Sequence, residues 1–366
     1  NRESVEIKDY YINNRPGFKT ANVIGVRYVV PTTCFEPDCL EKTGELIYKE
    51  DFRQKIRNPI VEYIKNNPDK NIRHIVLIRG IPSRLIHGWL MEDVWGSVQF
   101  AIARTPVDTN QCNVYEYLAY TSGSIKTSET SGAICEKPPL KANTILGTAF
   151  FDPDVFPGTL ALITSLDMGS LEATKRYIDK LKETHVMMSS PSVIISANMT
   201  NKKGDSYYFE DAGSRYPDAY YNANLRMKDV LRENPSAKVV YRGSKESYIK
   251  EADNVVGFMT WGENANRGGN YMFDGTLRFT GNSNWYLIDT LESYNGTWTG
   301  GDRADKGEHF QGNFIKWFSK KAFGGKDYEN TPVAAVTTVE EPYLSGKNDP
   351  KLFSCWDKGN LFIDCA

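Results

Sequence analysis

Imidazole is the side chain best suited to moving protons near neutral pH, so the four histidines are the first candidates for chemistry. His74 lies inside an apolar run and reads as a core or strand-face residue. His185 follows a helical pattern and reads as surface, and His309 opens an aromatic helix. His87, in Leu85-Ile86-His87-Gly88-Trp89 after a strand end, is the one placed for catalysis, with Asp93 nearby in sequence. Carboxylates form a second acid–base set: Glu263, and Glu340-Glu341 ahead of Pro342. Either set, alone or with a metal, would make a hydrolase. The usual signatures of a nucleophile or a phosphate cradle do not occur: there is no GxSxG, no Walker A and no GxGxxG. No cysteine occurs between Cys135 and Cys355.

A different chemistry is written at Asn254–Gly269. An apolar run, Val255 to Met259, breaks into Thr260-Trp261-Gly262-Glu263-Asn264 and ends at Arg267-Gly268-Gly269. That pattern is a buried strand running into a loop. In an open α/β sheet, ligands collect outside the carboxyl ends of such strands. Trp261, Glu263, Asn264, Asn266 and Arg267 are therefore binding candidates, since aromatic and Arg side chains are common anchors. Arg79 and Arg84, after the 72–78 run, join them. Ca²⁺ is the cofactor to consider, through Asp152 and Asp154 or Asp302 and Asp305, although a turn explains either pair more simply.

The six cysteines fall in three local pairs: Cys34 with Cys39, Cys112 with Cys135, and Cys355 with Cys365. Disulfides between those neighbours imply an oxidising compartment. No CxxC occurs, and His and Cys do not cluster at zinc-ligand spacing. Asn198-Met199-Thr200 and Asn295-Gly296-Thr297 are glycosylation sequons, which matter only in a eukaryotic secretory context.

The elements that must position these residues alternate. Strands are expected at 23–30, 72–78, 159–166, 193–197, 239–241, 255–259 and 333–339. Helices are expected at 4–13 and 50–65, the latter carrying Phe52, Ile56, Ile60 and Ile64 on one stripe and a kink or break at Pro59. Ser170 caps a further helix bearing Leu171, Thr174, Tyr177, Ile178 and Leu181. Another carries Ala223, Met227, Val230 and Leu231. Phe310, Phe314, Trp317 and Phe318 form an aromatic stripe that reads as a buried helix face. The sum is an α/β fold, a mostly parallel sheet with helices on both faces. It is read as one domain over residues 1–366, with an irregular insertion at about 104–148 and Cys-bearing loops.

Composition narrows the partners. A net charge of −2 gives no electrostatic case for nucleic acid or an anionic membrane. No apolar run reaches the roughly 18 residues of a membrane span. The 21 tyrosines supply packing, and also a surface for a protein partner, a glycan or self-association. The first residues, NRESVEIK, are not a signal peptide, and a processed terminus would leave the same trace.

The order of four blocks, IRHIVLIRGIPSRL, GTLALITSLDMGSLEATKRYIDKL, VVGFMTWGENAN and TPVAAVTTVEEPY, resembles an uncharacterised family of secreted bacterial proteins. The middle part also resembles the gingipain-type cysteine peptidases of the wider caspase-like fold. In those, a sheet strand ends in an aromatic-x-Gly-His-Gly motif. Here the matching positions read Phe258-Met259-Thr260-Trp261-Gly262, so the histidine falls on Trp261. The partner cysteine belongs at the end of the next sheet strand, near 285–291 or at 333–339, and neither stretch contains one. The resemblance implies a caspase-like core and a secreted or extracellular address, the periplasm being the alternative. It implies no Cys–His peptidase activity.

Overall fold

Runs of β-branched and aliphatic residues separated by amphipathic segments build helices and short parallel strands, an α/β arrangement. The computed structural model describes residues 2–15, 21–28, 45–70, 72, 74–86, 94–103, 162–183, 193–197, 200–203, 206–208, 238–242, 251–253, 255, 257–260, 277–281, 283–290, 292, 294–298, 314–339, 351–357 and 362–365. The chain divides into two compact units, Asn1–Val5 with Thr20–Leu166, and Glu6–Lys19 with Asp167–Ala366.

In the first unit, β1 (Leu46–Tyr48) pairs in parallel with β3 (Arg84–Ile86), which pairs antiparallel with β4 (Val94–Ser97). Separately, β2 (His74–Ile78) pairs in parallel with β5 (Leu162–Leu166). One helical run crosses this unit: α2 (Lys49–Asp51), a π-helical stretch Phe52–Arg57, and α3 (Asn58–Lys65). A kink or break was expected at Pro59, and the run changes there from π-helical to α-helical geometry, Asn58 opening the α-helix and Pro59 lying in its first turn. Proline cannot donate to the carbonyl four residues back, and its ring collides with that carbonyl in α geometry. The wider π turn resolves both problems, since Asn58 N–H donates to Arg53 O five residues back. The stripe Phe52, Ile56 and Ile60 then packs on Ile47, Leu77, Leu85 and Ile102, with Val98 and Ala101 of α4 (Val98–Ala103) completing the core.

The second unit holds a five-stranded sheet in the order β14 (Ala334–Val336), β13 (Leu287–Thr290), β11 (Gly257–Thr260), β6 (Val193–Ala197), β9 (Lys238–Arg242). Every neighbouring pair is parallel. Read by chain position the order is 2-1-3-4-5, a doubly wound arrangement with its switch between β6 and β11. Short strands β7 (Thr200–Lys203) and β8 (Ser206–Tyr208) form a hairpin, and β10 (Glu251–Asp253) lies parallel to β12 (Arg278–Thr280).

Side chains alternate across this sheet. On one side, Phe258 meets Phe279 edge-on at 5.3 Å and Phe323 at 6.1 Å, and Phe279 stacks on Phe323 at 4.7 Å. On the other, Leu287 and Val333 pack against Leu352 and Phe353 of α7 (Lys351–Asp357). The Cys355–Cys365 disulfide ties α7 to the terminal α8 (Phe362–Cys365).

The helix expected after Ser170 is α5 (Leu171–Lys180), and Ser170 Oγ accepts from Ala173 N at 3.0 Å. Gly169 ahead of it sits at φ +84°, and a β-carbon there would stand 2.8 Å from Ile315, so only glycine fits this turn. Tyr10 of α1 (Arg2–Asn14) donates to Asp179 at 2.9 Å. Tyr177 donates to Val333 O at 2.5 Å, which seats α5 beside the start of β14. Of the expected aromatic helix face, Phe314, Trp317 and Phe318 are buried, and the helix described there is the single turn α6 (Phe314–Trp317). The strand expected at 23–30 is a correction: residues 21–28 carry no regular structure and Val23 is half exposed. β-branched residues favour a pleated surface only where a neighbouring strand supplies it.

Candidate functional site

Because all strands of the second unit's five-stranded sheet run the same way, their carboxyl ends form one rim. Thr260 lies opposite Ala197 on one side and Thr290 on the other, and Ala197 lies opposite Arg242. Asp289, one residue before the rim, lies opposite Val336.

Around the end of β13 the interior turns polar. Asp289, Thr290, Glu292, Asn295 and Thr297 are all fully buried. Asn295 is the hub. Its Nδ2 donates to Thr290 O at 3.2 Å and Thr290 Oγ1 at 2.8 Å. Its Oδ1 accepts from Thr338 N at 2.7 Å and from Thr338 Oγ1 at 3.3 Å. Thr338 Oγ1 also donates to Glu292 O at 2.9 Å, and Gly296 N donates to Thr338 O at 2.8 Å. Phe314 N donates to Asn295 O at 2.9 Å. One side chain thus clasps the strand that ends at Thr290 to the strand that ends at Val336. The sequon Asn295-Gly296-Thr297 is therefore an interior clasp whose amide is already bonded, with no room for a glycan. Asp289 and Glu292 place two carboxylates in the same buried region, and both are engaged within the fold.

Arg79 and Arg84 belong to the first unit. Arg79 follows β2; its Nε donates to Glu3 Oε2 at 3.0 Å and its N–H to Leu166 O at 3.2 Å. Arg84 is completely buried in β3, and its N–H donates to Glu45 O at 3.0 Å, with Glu45 itself buried. His74 begins β2 and is exposed on the strand face.

Among the described residues of the second unit, three titratable groups depart far from their ordinary state. Burial at the end of α5 pushes the Lys180 amine down to about 7. Its Nζ donates to Thr331 O, to Thr331 Oγ1 at 3.2 Å and to Pro332 O at 3.5 Å, which ties α5 to the segment entering β14. Burial also raises Tyr177 and Tyr286 well above the usual phenol range.

Of the residues singled out from sequence, the structure joins Cys355 to Cys365. His87, Asp93, Trp261, Glu263, Asn264, Asn266, Arg267, Glu340 and Glu341 lie outside the described residues. So do Asp152, Asp154, Asp302, Asp305, Cys34, Cys39, Cys112 and Cys135, and the insertion at 104–148. Among the described residues no group of three His, Cys, Asp or Glu side chains is placed to hold a metal ion, and no helix is long and apolar enough to cross a membrane.

The polar cluster at the end of β13 is what sequence reasoning missed. Its signal was present in Trp285-Tyr286-Leu287-Ile288-Asp289-Thr290, where an acid interrupts an otherwise apolar strand. Compared with protein-family models, with curated proteins and with solved structures, the chain matches none.

Proposed function

We propose that this chain is an extracellular protein that binds a protein or glycan partner, or its own copies, on a peptidase-like α/β core without catalysing hydrolysis. The observation that carries the reading is the register of β11 and β13. They are parallel neighbours ending side by side at Thr260 and Thr290. The residues that follow them are Trp261-Gly262 and Leu291-Glu292. A Cys–His mechanism at such a rim needs an imidazole beyond one strand and a thiol beyond its neighbour. Indole cannot shuttle a proton, and a carboxylate is no substitute for a thiolate. The same rim is where a doubly wound sheet offers a crevice to a ligand. Trp261, Asn264, Asn266 and Arg267 supply anchors of the type that dominate interfaces. The Cys355–Cys365 disulfide supports an oxidising location.

The test pairs catalysis with association. Purified protein is assayed on a broad peptidase, esterase and glycosidase panel, with bound metal measured by mass spectrometry. Self-association is followed by sedimentation, and glycan binding on an array. Absence of turnover with binding or assembly lost in Trp261→Ala is the expected result. Robust turnover abolished by Glu263→Gln or His87→Ala would end this reading in favour of a hydrolase.

A further inference from the structure

The clasp at Asn295 contains the chain's only Asn-Gly dipeptide. Asn-Gly is the sequence in which side-chain cyclisation is least hindered, because glycine presents its amide nitrogen without a flanking side chain. We infer that Asn295-Gly296 is a latent self-modification site, held unreactive by the fold and released by local opening of the β13–β14 clasp. In the reaction the Gly296 backbone nitrogen attacks Asn295 Cγ. A C–N bond forms, the nitrogen gives up its proton, the Cγ–Nδ2 bond breaks and ammonia leaves. Water then opens the cyclic imide at either carbonyl, giving aspartate or isoaspartate. Water is the only co-reactant.

Three features suppress the reaction in the closed state. The attacking nitrogen is occupied, since Gly296 N–H donates to Thr338 O at 2.8 Å. The electrophile is pinned at both ends, Nδ2 by Thr290 and Oδ1 by Thr338. The electrophile is closed off from bulk water, since Asn295 is completely buried. The fold also requires the dipeptide. A β-carbon at position 296 would stand 2.5 Å from Thr337 Oγ1, 2.9 Å from Thr337 Cβ and 3.1 Å from Thr338 O. Position 295 must both donate to Thr290 and accept from Thr338, which an amide does and a carboxylate does not.

The product therefore cannot close again. Aspartate at 295 turns a donor into an acceptor facing Thr290 O in a fully buried site, an uncompensated burial of charge. Isoaspartate lengthens the main chain in a turn where Tyr294 already holds φ +57°. Opening of the clasp becomes irreversible once the ring forms, so its local stability sets the protein's working lifetime.

The experiment incubates the full chain at mildly alkaline pH, with and without urea below the unfolding midpoint. Peptide mapping by mass spectrometry reads the amide-to-acid conversion and isoaspartate at Asn295. Conversion is expected to be slow in buffer and at least about tenfold faster near the midpoint, with modified chains failing to regain native structure on dilution. Thr338→Val, which deletes the hydroxyl's two bonds, is expected to raise the rate in buffer about tenfold. If that variant does not fold, the urea series on the native sequence decides alone. Equal rates with and without urea, or full refolding of modified chains, would overturn the inference.

Discussion

A β-carbon built on Gly257 would stand 2.6 Å from Cδ1 of Phe353, so α7 lies directly on the backbone of β11. Gly257→Ala forces that ring to move in a well-packed region and should cost about 1–3 kcal/mol. Phe353→Ala should cost about 3–5 kcal/mol. Urea unfolding of both single variants and the double variant would show non-additivity, because the deletion makes the space that the added methyl needs. Strict additivity would mean that the two residues are not in contact.

The disulfide that follows Phe353 closes a loop with a sequence separation of 10. Chain-entropy arguments give such a loop about 2–3 kcal/mol. Cys355→Ser with Cys365→Ser should lower the urea midpoint accordingly, and a reductant should do the same to the native chain but nothing further to the double variant. Peptide mapping without reduction would also report how Cys34, Cys39, Cys112 and Cys135 are paired.

Stability should depend on pH with opposite signs on either side of about 10. Burial lowers Lys180 from 10.5 to about 7, so between those values the unfolded chain binds more protons than the folded one. Stability then rises with pH across that window. Tyr177 and Tyr286 are raised, so their contribution is fully present below 10.0 and is lost as pH rises beyond it. Lys180→Met should flatten the rise and leave the alkaline fall. Thermal melts over pH 6–11, a range set by the ordinary side-chain values, would check both limbs.

Ser170→Ala should cost about 1 kcal/mol by freeing the Ala173 N–H, and Ser170→Asp should restore most of it. Circular dichroism melts suffice. A neutral alanine substitution would mean that the turn fixed by Gly169, rather than the hydroxyl, starts α5.

Arg84 is completely buried, so Arg84→Ala leaves its space unfilled and should destabilise by about 2–5 kcal/mol. Arg79, partly exposed and paired with Glu3, should tolerate Arg79→Ala within about 1 kcal/mol. A binding defect in Arg79→Ala would therefore report on recognition, whereas one in Arg84→Ala must be read against its loss of fold by parallel melts.

The parts legible in the sequence were those with a clear period or a clear boundary. The stripe Phe52, Ile56, Ile60 located the first unit's core, and Ser170 marked the start of α5 to the residue. Runs such as Val193–Ala197 and Val239–Tyr241 were recognisable as strands by composition. Leu46–Tyr48 and Arg84–Ile86 were not, because three residues are too few to show a period and their pairing is long-range. Pro59 marked an irregularity in the helix but not its kind, because a π turn is a property of backbone register, which residue types do not encode directly. Trp261 was conspicuous by residue type, whereas Asn295 read only as part of a glycosylation sequon. Its role depends on Thr290 and Thr338, and the latter arrives from 43 positions away.

The uniform direction of the five strands has a kinetic consequence. No two neighbours in that ladder can be joined by a tight turn, so each rung waits for a long excursion of chain to come back on itself. The second unit must therefore lose much of its chain entropy before the ladder begins to reward it. It should be the slow step of refolding, with its bare strand edges open to wrong partners until the last rung is in place.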